Sequence, residues 1–573
     1  MVNISRRKFI QASAISYLSI SSTNFVNRVF ASNIKYQGLI PKKTTAIETY
    51  PGYEYQLLVS FGENLFSDNN YDFYNPSLSV IRQCYGYNND YVAFMPFEGE
   101  DNKGLLCVNH EYTQPELIFP PEFLTNNKIK ALEIAFETMG HSIFEVEKIS
   151  GKWRINKNSI YNRRITPTNN LCEIKGYARG ASRLKTKHDV SGEFVYGSFA
   201  NCAGGKTPWG TILIAEENIN MMFGGENKNA RESASLKAYN FKNKSKYGFE
   251  KIHKRLDITD NNGEYNKFGY LVEIDPFNPE KPPVKRTSLG RFFHEGAAVK
   301  IAKSGHVVVY STDDKNFEHL YKFVSKDKYD SVNFNPDILD EGILYVAKFY
   351  ENGELEWLPL IFGQNGLTKE NGFEDKADIY IDTRIAAKHV GATALDRPEG
   401  IVISPESNKI YISLTNNFKK FNGDIFKDNF PNIYGYILEI DPINDHDADI
   451  MSWNIALDAS NYQEPDNVIA NPDNLTFDKK GNLWIATDGM EKTRNISDSI
   501  YKFDLKNNSL TRYLNTPIGS EVCGPEFSPD NQSLFLAIQH PASGSSFAKP
   551  STRWPRFTEN IPPLPSLIVL SKS

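Results

Sequence analysis

Six short stretches of the chain share one pattern of polarity. Each is an apolar, β-branched or aromatic run of about five residues that ends in polar groups, as a buried strand would. They are residues 104–112 (GLLCVNHEY), 209–218 (WGTILIAEEN), 305–314 (GHVVVYSTDD), 408–417 (NKIYISLTNN), 481–489 (GNLWIATDG) and 532–540 (QSLFLAIQH). A second pattern lies between them, at 269–276 (GYLVEIDP) and 435–442 (GYILEIDP), with 499–505 (SIYKFDL) a looser relative. A small sheet cannot bury both faces alone, so repeated strand sets stack around an axis. The expected fold class is all-β, a six-bladed β-propeller with helical and loop insertions. Two unrelated β domains are the alternative. Residues 566–573 (SLIVLSKS) read as a strand that pairs with an early blade and closes the ring. Insertions fall near residues 221–251, read as a solvated loop, and near 315–394, with room for extra strands or short helices. Residues 126–139 read as helical.

The composition agrees. Aromatics reach 13%, which with many Asn, Gly and Pro residues favours strands joined by turns. A net charge of −6 leaves no basic excess to attract nucleic acid. The N-terminus adds an address. Ser5-Arg6-Arg7-Lys8-Phe9-Ile10-Gln11 reads as a twin-arginine export motif, followed by a weakly apolar run and a small-residue cleavage site at Val29-Phe30-Ala31. Residues 1–31 are therefore expected to be a signal peptide, and 32–573 one catalytic domain in the periplasm or outside the cell. The apolar run is too short and too rich in serine for a membrane anchor. The partners expected are the twin-arginine export machinery and a small substrate, with the chain acting as a monomer. Five cysteines, Cys84, Cys107, Cys172, Cys202 and Cys523, are too few and scattered for a disulfide framework.

Candidate chemistry sits beside the repeats. Residues 201–218 (NCAGGKTPWGTILIAEEN) place a cysteine, a glycine pair and two adjacent glutamates around an apolar strand. Four repeats open on similar acidic turns: His294-Glu295-Gly296, Arg397-Pro398-Glu399-Gly400, Pro472-Asp473-Asn474 and Gly524-Pro525-Glu526. Equivalent places in successive blades lie at equivalent places around the axis, so these acids should converge at one mouth of the channel. Glu295, Glu399, Asp473 and Glu526, joined by Glu111 and Glu217, cannot all stay ionised there without countercharge. Carboxylates with an amide oxygen from Asn474 suit calcium, and a thiolate at Cys202 suits a transition metal such as iron or zinc. Arg397, two residues before Glu399, is aimed the same way by strand alternation and can grip an oxyanion. His110 and His294 adjoin these positions as ligands, acid–base groups or structural histidines. Trp209 reads as wall.

Together the twin-arginine start, residues 109–113 (NHEYT), 201–218, His294-Glu295-Gly296, Arg397-Pro398-Glu399-Gly400, Pro472-Asp473-Asn474 and Cys523-Gly524-Pro525-Glu526 resemble the PhoX-type alkaline phosphatases. The resemblance implies iron (Fe3+) and calcium (Ca2+) in a propeller channel. It implies that Cys202 and Glu295 hold iron, and that Glu111, Glu217, Glu399, Asp473, Asn474 and Glu526 complete the iron and calcium shells. It further implies that Arg397 binds the phosphate and that a metal-bridging oxide or hydroxide attacks phosphorus. Ile214-Ala215 stands where many relatives carry Thr-Cys. The leading expectation is thus a secreted metal-dependent phosphomonoesterase with Arg397, Cys202 and Glu295 in catalytic roles. The alternatives are a calcium-dependent sugar-lactonase-like hydrolase, suggested by residues 471–489 (NPDNLTFDKKGNLWIATDG), and a calcium-binding propeller without catalysis.

Overall fold

The computed structural model describes residues 38–259, 263–419, 431–464 and 467–573. The expected export segment, residues 1–31, lies outside them. Mostly antiparallel sheets dominate, so the all-β expectation holds. Five larger sheets are present, and the nine-stranded one divides into two runs joined where Glu354–Pro359 pairs with Ile450–Asp458. Each resulting unit opens on an inner strand: Asn89–Pro96, Asn201–Lys206, His294–Ile301, Pro398–Ile403, Pro472–Phe477 or Glu521–Phe527. Successive inner strands pack side by side. Asn89–Pro96 completes the circuit by touching both Glu521–Phe527 and Asn201–Lys206.

The second strand of each unit explains the repeated apolar runs. In Ile212–Glu216, Ile212 and Ile214 pack on one neighbouring unit while Leu213 and Ala215 pack on the other. In Leu483–Thr487, Leu483 and Ile485 face one side and Trp484 and Ala486 the opposite side. Val307 and Val309 are likewise divided from Val308 and Tyr310 in His306–Asp313. Side chains alternate across a strand, so a sheet covered on both faces needs apolar residues at every position. Each such side chain contributes about 1.5–3 kcal/mol when fully buried.

The C-terminal strand finds an early partner, but inside the last sheet and not in an early one. Ser566–Lys572 pairs with Ser533–Gln539 on one side and with the early strand Tyr53–Ser60 on the other. The helical expectation near 126–139 also holds, as helix Lys128–Glu137. The reading of 221–251 as a solvated loop does not. Helix Ala230–Ala238 forms there, capped by the Asn229 side chain, which accepts from the Arg231 and Glu232 backbone N–H groups. Leu236, Tyr239 and Phe249 are buried with Phe199, Phe268 and Phe293. The Asn and Lys residues mask a buried aromatic set that composition alone underweights. Residues 315–394 carry both strands and helices, including Lys376–Ile381 and Thr383–His389. Among the described residues, no helix is long and apolar enough to cross a membrane.

Deleting residues 566–573 strips the partner from Tyr53–Ser60 and opens an edge on the last sheet. The truncated protein is expected to aggregate and to lose its cooperative thermal transition, which size-exclusion chromatography and calorimetry will read. An unchanged transition would contradict the closing role.

Candidate metal centre

A β-bulge recurs in all six inner strands, at the first paired residue in five and two residues further along in the sixth. The register shifts between Asn89 and Val92, Asn201 and Gly204, His294 and Ala297, Pro398 and Ile401, Pro472 and Leu475, and Cys523 and Glu526. A bulge leaves a residue unpaired and re-aims its side chain. The residue after the first one is Asp90, Cys202, Glu295, Glu399, Asp473 or Gly524. The inner strands run close together here, and a Cβ on Gly400 would meet the Asp473 carbonyl oxygen at 2.4 Å. A second set follows the second strands. Glu111, Glu217, Asp314 and Asp488 each come directly after a strand that ends at His110, Glu216, Asp313 or Thr487.

Most of these positions converge. Ligand atoms lie within 4.8 Å of one another in four overlapping groups: Asp90, Glu111 and Cys202; Asp90, Glu521 and Cys523; Cys202, Glu217 and Glu295; and Glu295, Glu399 and Asp473. All are buried. Shared members make one continuous cluster. Burial raises the carboxyls first and their neighbours' charges add to it. Asp90 moves up to about 7 and Glu111 up to about 8, the latter pushed further by Asp90. Burial pushes Glu217, Glu295, Glu399, Asp473 and Glu521 well above the usual carboxylate range. The Cys202 thiol is likewise raised by burial, with Asp90 the strongest charge beside it. Asp314 alone goes the other way. Burial works to raise it, but the Arg397 guanidinium holds its carboxyl below the usual range.

The donor set suits metal ions. Oxygen and sulphur atoms crowd together in a buried place, and Asp90 Oδ1 has no hydrogen-bond partner. Cations would relieve the repulsion that otherwise demands protons. Glu111, Cys202, Glu217, Glu295, Glu399 and Asp473 all fall in the four groups. Asn474 adjoins them, but its Oδ1 accepts from the Gly524 backbone N–H at 2.7 Å. Its amide nitrogen faces Asp473 Oδ1 at 3.0 Å and Glu295 Oε1 at 3.4 Å. Because a backbone N–H can only donate, this contact turns the amide's donors toward the acids.

Glu526 is a correction. It pairs with Lys206 and accepts from the Phe94 backbone N–H at 3.3 Å, and it belongs to none of the four groups. The bulge gives the reason, since Glu526 occupies the place of Val92 and Ile401, past the re-aimed residue. That residue is Gly524, whose φ is +54°, and a Cβ there would meet the Asp90 carbonyl oxygen at 2.4 Å. The sixth unit reaches the cluster through Glu521 and Cys523 instead.

Arg397 reaches the cluster by a kink and not by strand alternation. Its φ is +55°, between the strands Leu395–Asp396 and Pro398–Ile403. Nε and Nη2 donate to Asp314 at 2.9 and 2.8 Å, and Nη2 also pairs with Glu399. The two histidines bond within the fold, and neither belongs to the four groups. His110 Nε2 lies 2.7 Å from Ser142 Oγ. His294 lies 2.8 Å from Ser311 Oγ and 2.9 Å from the Gly290 carbonyl, and burial lowers it to about 3. Trp209 donates to Glu273 at 2.8 Å, in a wall with Phe334. All five cysteines are free and buried.

Sequence reading missed Asp90, Asp314, Asp488, Glu521 and Cys523. A signal existed for two of them, because Asp314 and Asp488 end the repeats at 305–314 and 481–489 as Glu111 and Glu217 end theirs.

The model of the family described as alkaline phosphatase PhoX matches residues 34–542. The chain belongs to the PhoX alkaline phosphatase family. Among solved structures, it is similar to Pseudomonas fluorescens PhoX in complex with vanadate, a transition state analogue. Identity is 35%, the TM-score is 0.88, and 94% of this chain and 98% of that chain are covered. A gluconolactonase from Xanthomonas campestris covers 67% of this chain and 77% of its own at 10% identity, with a TM-score of 0.28, too loose to carry an argument. No curated protein matches the chain. Membership of the PhoX family carries metal-dependent phosphomonoesterase activity, and the lactonase alternative is not favoured.

The PhoX cluster predicts an unusual pH response when stripped of metal. Carboxyls raised above their unfolded values contribute full stability below about pH 4 and lose it as pH rises through the folded values near 7 and 8. The melting temperature of chelated protein is therefore expected to fall between about pH 4.5 and 8. Metal-replete protein should lose most of that slope.

Proposed function

We propose that the chain is an exported, six-bladed β-propeller phosphatase that hydrolyses phosphate monoesters over an iron and calcium cluster. One observation carries this reading: a continuous buried run of acids and thiols with a strapped arginine at its edge. In this reading Cys202, Glu217 and Glu295 hold iron. Glu111, Glu399, Asp473 and their neighbours complete the iron and calcium shells. When bound, the ions supply Lewis acidity for the phosphoryl oxygens and ionise water near neutral pH.

The chain's own residues orient the ester. Asp314 grips Arg397 through two hydrogen bonds, so the guanidinium plane is fixed before substrate arrives. Its side chain keeps 24% exposure, enough to offer the remaining donors to phosphoryl oxygens as charge develops. Asn474 bridges Asp473 and Glu295 with its amide donors. The packed insertion brings Lys246 over the Tyr112 ring at 5.1 Å and the Tyr247 ring at 5.3 Å, beside Glu111. That cation and those rings form part of the mouth and bear on which esters enter. The Pseudomonas fluorescens relative is in complex with vanadate, a transition state analogue, which supports the phosphatase reading. The basic N-terminal motif supports twin-arginine export to the periplasm or beyond. One propeller domain would span residues 32–573.

Two variants test the reading. Cys202→Ala is expected to lose both iron, by elemental analysis, and p-nitrophenyl phosphate hydrolysis. Full activity would remove the thiolate from the mechanism. Arg397→Ala is expected to raise KM and lower kcat by about 10²–10³ while the metals stay bound. Unchanged kinetics would rule out the grip.

A further inference from the structure

The cluster contains a second thiol that the phosphatase reading leaves unused. Cys523 is fully buried and free. It lies on the inner strand whose pairing starts earliest before its bulge. Glu521 faces Gln539 and Cys523 faces Ala537, and only then does the register shift. Glu521 and Cys523 are two residues apart in an extended strand, so they share a face. Their ligand atoms and an oxygen of Asp90 lie within 4.8 Å of one another.

Asp90 links the two thiols. Its Oδ2 accepts from Gln539 Nε2 at 2.8 Å and from the Cys202 thiol at 3.5 Å. Its Oδ1 has no hydrogen-bond partner, although the residue is only 3% exposed. A buried carboxylate oxygen left unpaired is costly unless something positive meets it. Gln539 Nε2 also reaches Glu111 Oε2 at 3.2 Å, so it orients the acids at this end without neutralising them.

We propose that Asp90, Glu521 and Cys523 form a second thiolate metal position, distinct from that at Cys202, which takes a transition ion and not calcium. Calcium selects oxygen ligands, whereas a thiolate selects softer ions such as iron or zinc. Asp90, within reach of both sulphurs, can serve both positions. Metal binding here deprotonates the thiol and any protonated carboxyl ligands, which release their protons to solvent. This inference rests on the metal-dependent reading of the hub.

The test compares metal-replete wild type, Cys202→Ser, Cys523→Ser and the double variant. Elemental analysis of Cys523→Ser should show one transition-metal equivalent fewer than wild type. After cobalt reconstitution, each single variant should lose part of the thiolate-to-cobalt absorption and the double variant all of it. X-ray absorption at the metal edge of wild-type protein, which needs no variant to fold, should require two sulphur ligands per chain. One sulphur per chain, or a double variant identical to Cys202→Ser, overturns the second position alone. Wild-type metal content and absorption in Cys202→Ser as well would overturn the metal reading of the hub itself.

Discussion

Like charges forced together in a buried place are the constraint on which this molecule depends. The ring of inner strands brings carboxyls from different units within a few ångströms of each other, and a single arginine faces them at the edge. Each pKa unit by which a carboxyl is raised costs about 1.4 kcal/mol to ionise. Apolar packing between the units provides the compensating stability and holds the acids in place. Cations convert that stored repulsion into ligand strength. Stability and chemistry are therefore coupled at the hub: what destabilises the bare protein is what binds the ions.

Much of this was legible along the chain. The second strands stood out because both faces are covered, which leaves uninterrupted apolar runs such as ILIA before Glu216 and VVVY before Ser311. Glu295, Glu399 and Asp473 were readable because each sits just past the start of an inner strand. The misplacement of Glu526 shows where sequence similarity ends and backbone register begins. Its Gly-Pro-Glu resembles the other acidic turns, yet the bulge begins two residues earlier than the motif suggests. Asp90 escaped because Asn89-Asp90-Tyr91 carries no glycine or proline to mark the turn. The insertion at 221–251 was misjudged because its few buried aromatics are diluted among polar residues.

Arg397 illustrates how backbone strain serves a site. A non-glycine residue with φ of +55° carries a conformational cost, which the surrounding contacts must hold. Here Asp314 and Glu399 restrain the side chain, so the fork is fixed in direction before any oxyanion arrives. Asp314 belongs to a different unit from Arg397. A shift between those units would therefore misalign the fork, and rigidity of the ring is part of oxyanion recognition.

The pairing of Tyr53–Ser60 with Ser566–Lys572 has a consequence for the order of assembly in the cell. The sheet that presents Glu521 and Cys523 depends on a strand translated more than five hundred positions after its partner. That sheet is complete only when Ser566–Lys572 has joined it. Ion loading of the finished hub therefore follows synthesis of that strand.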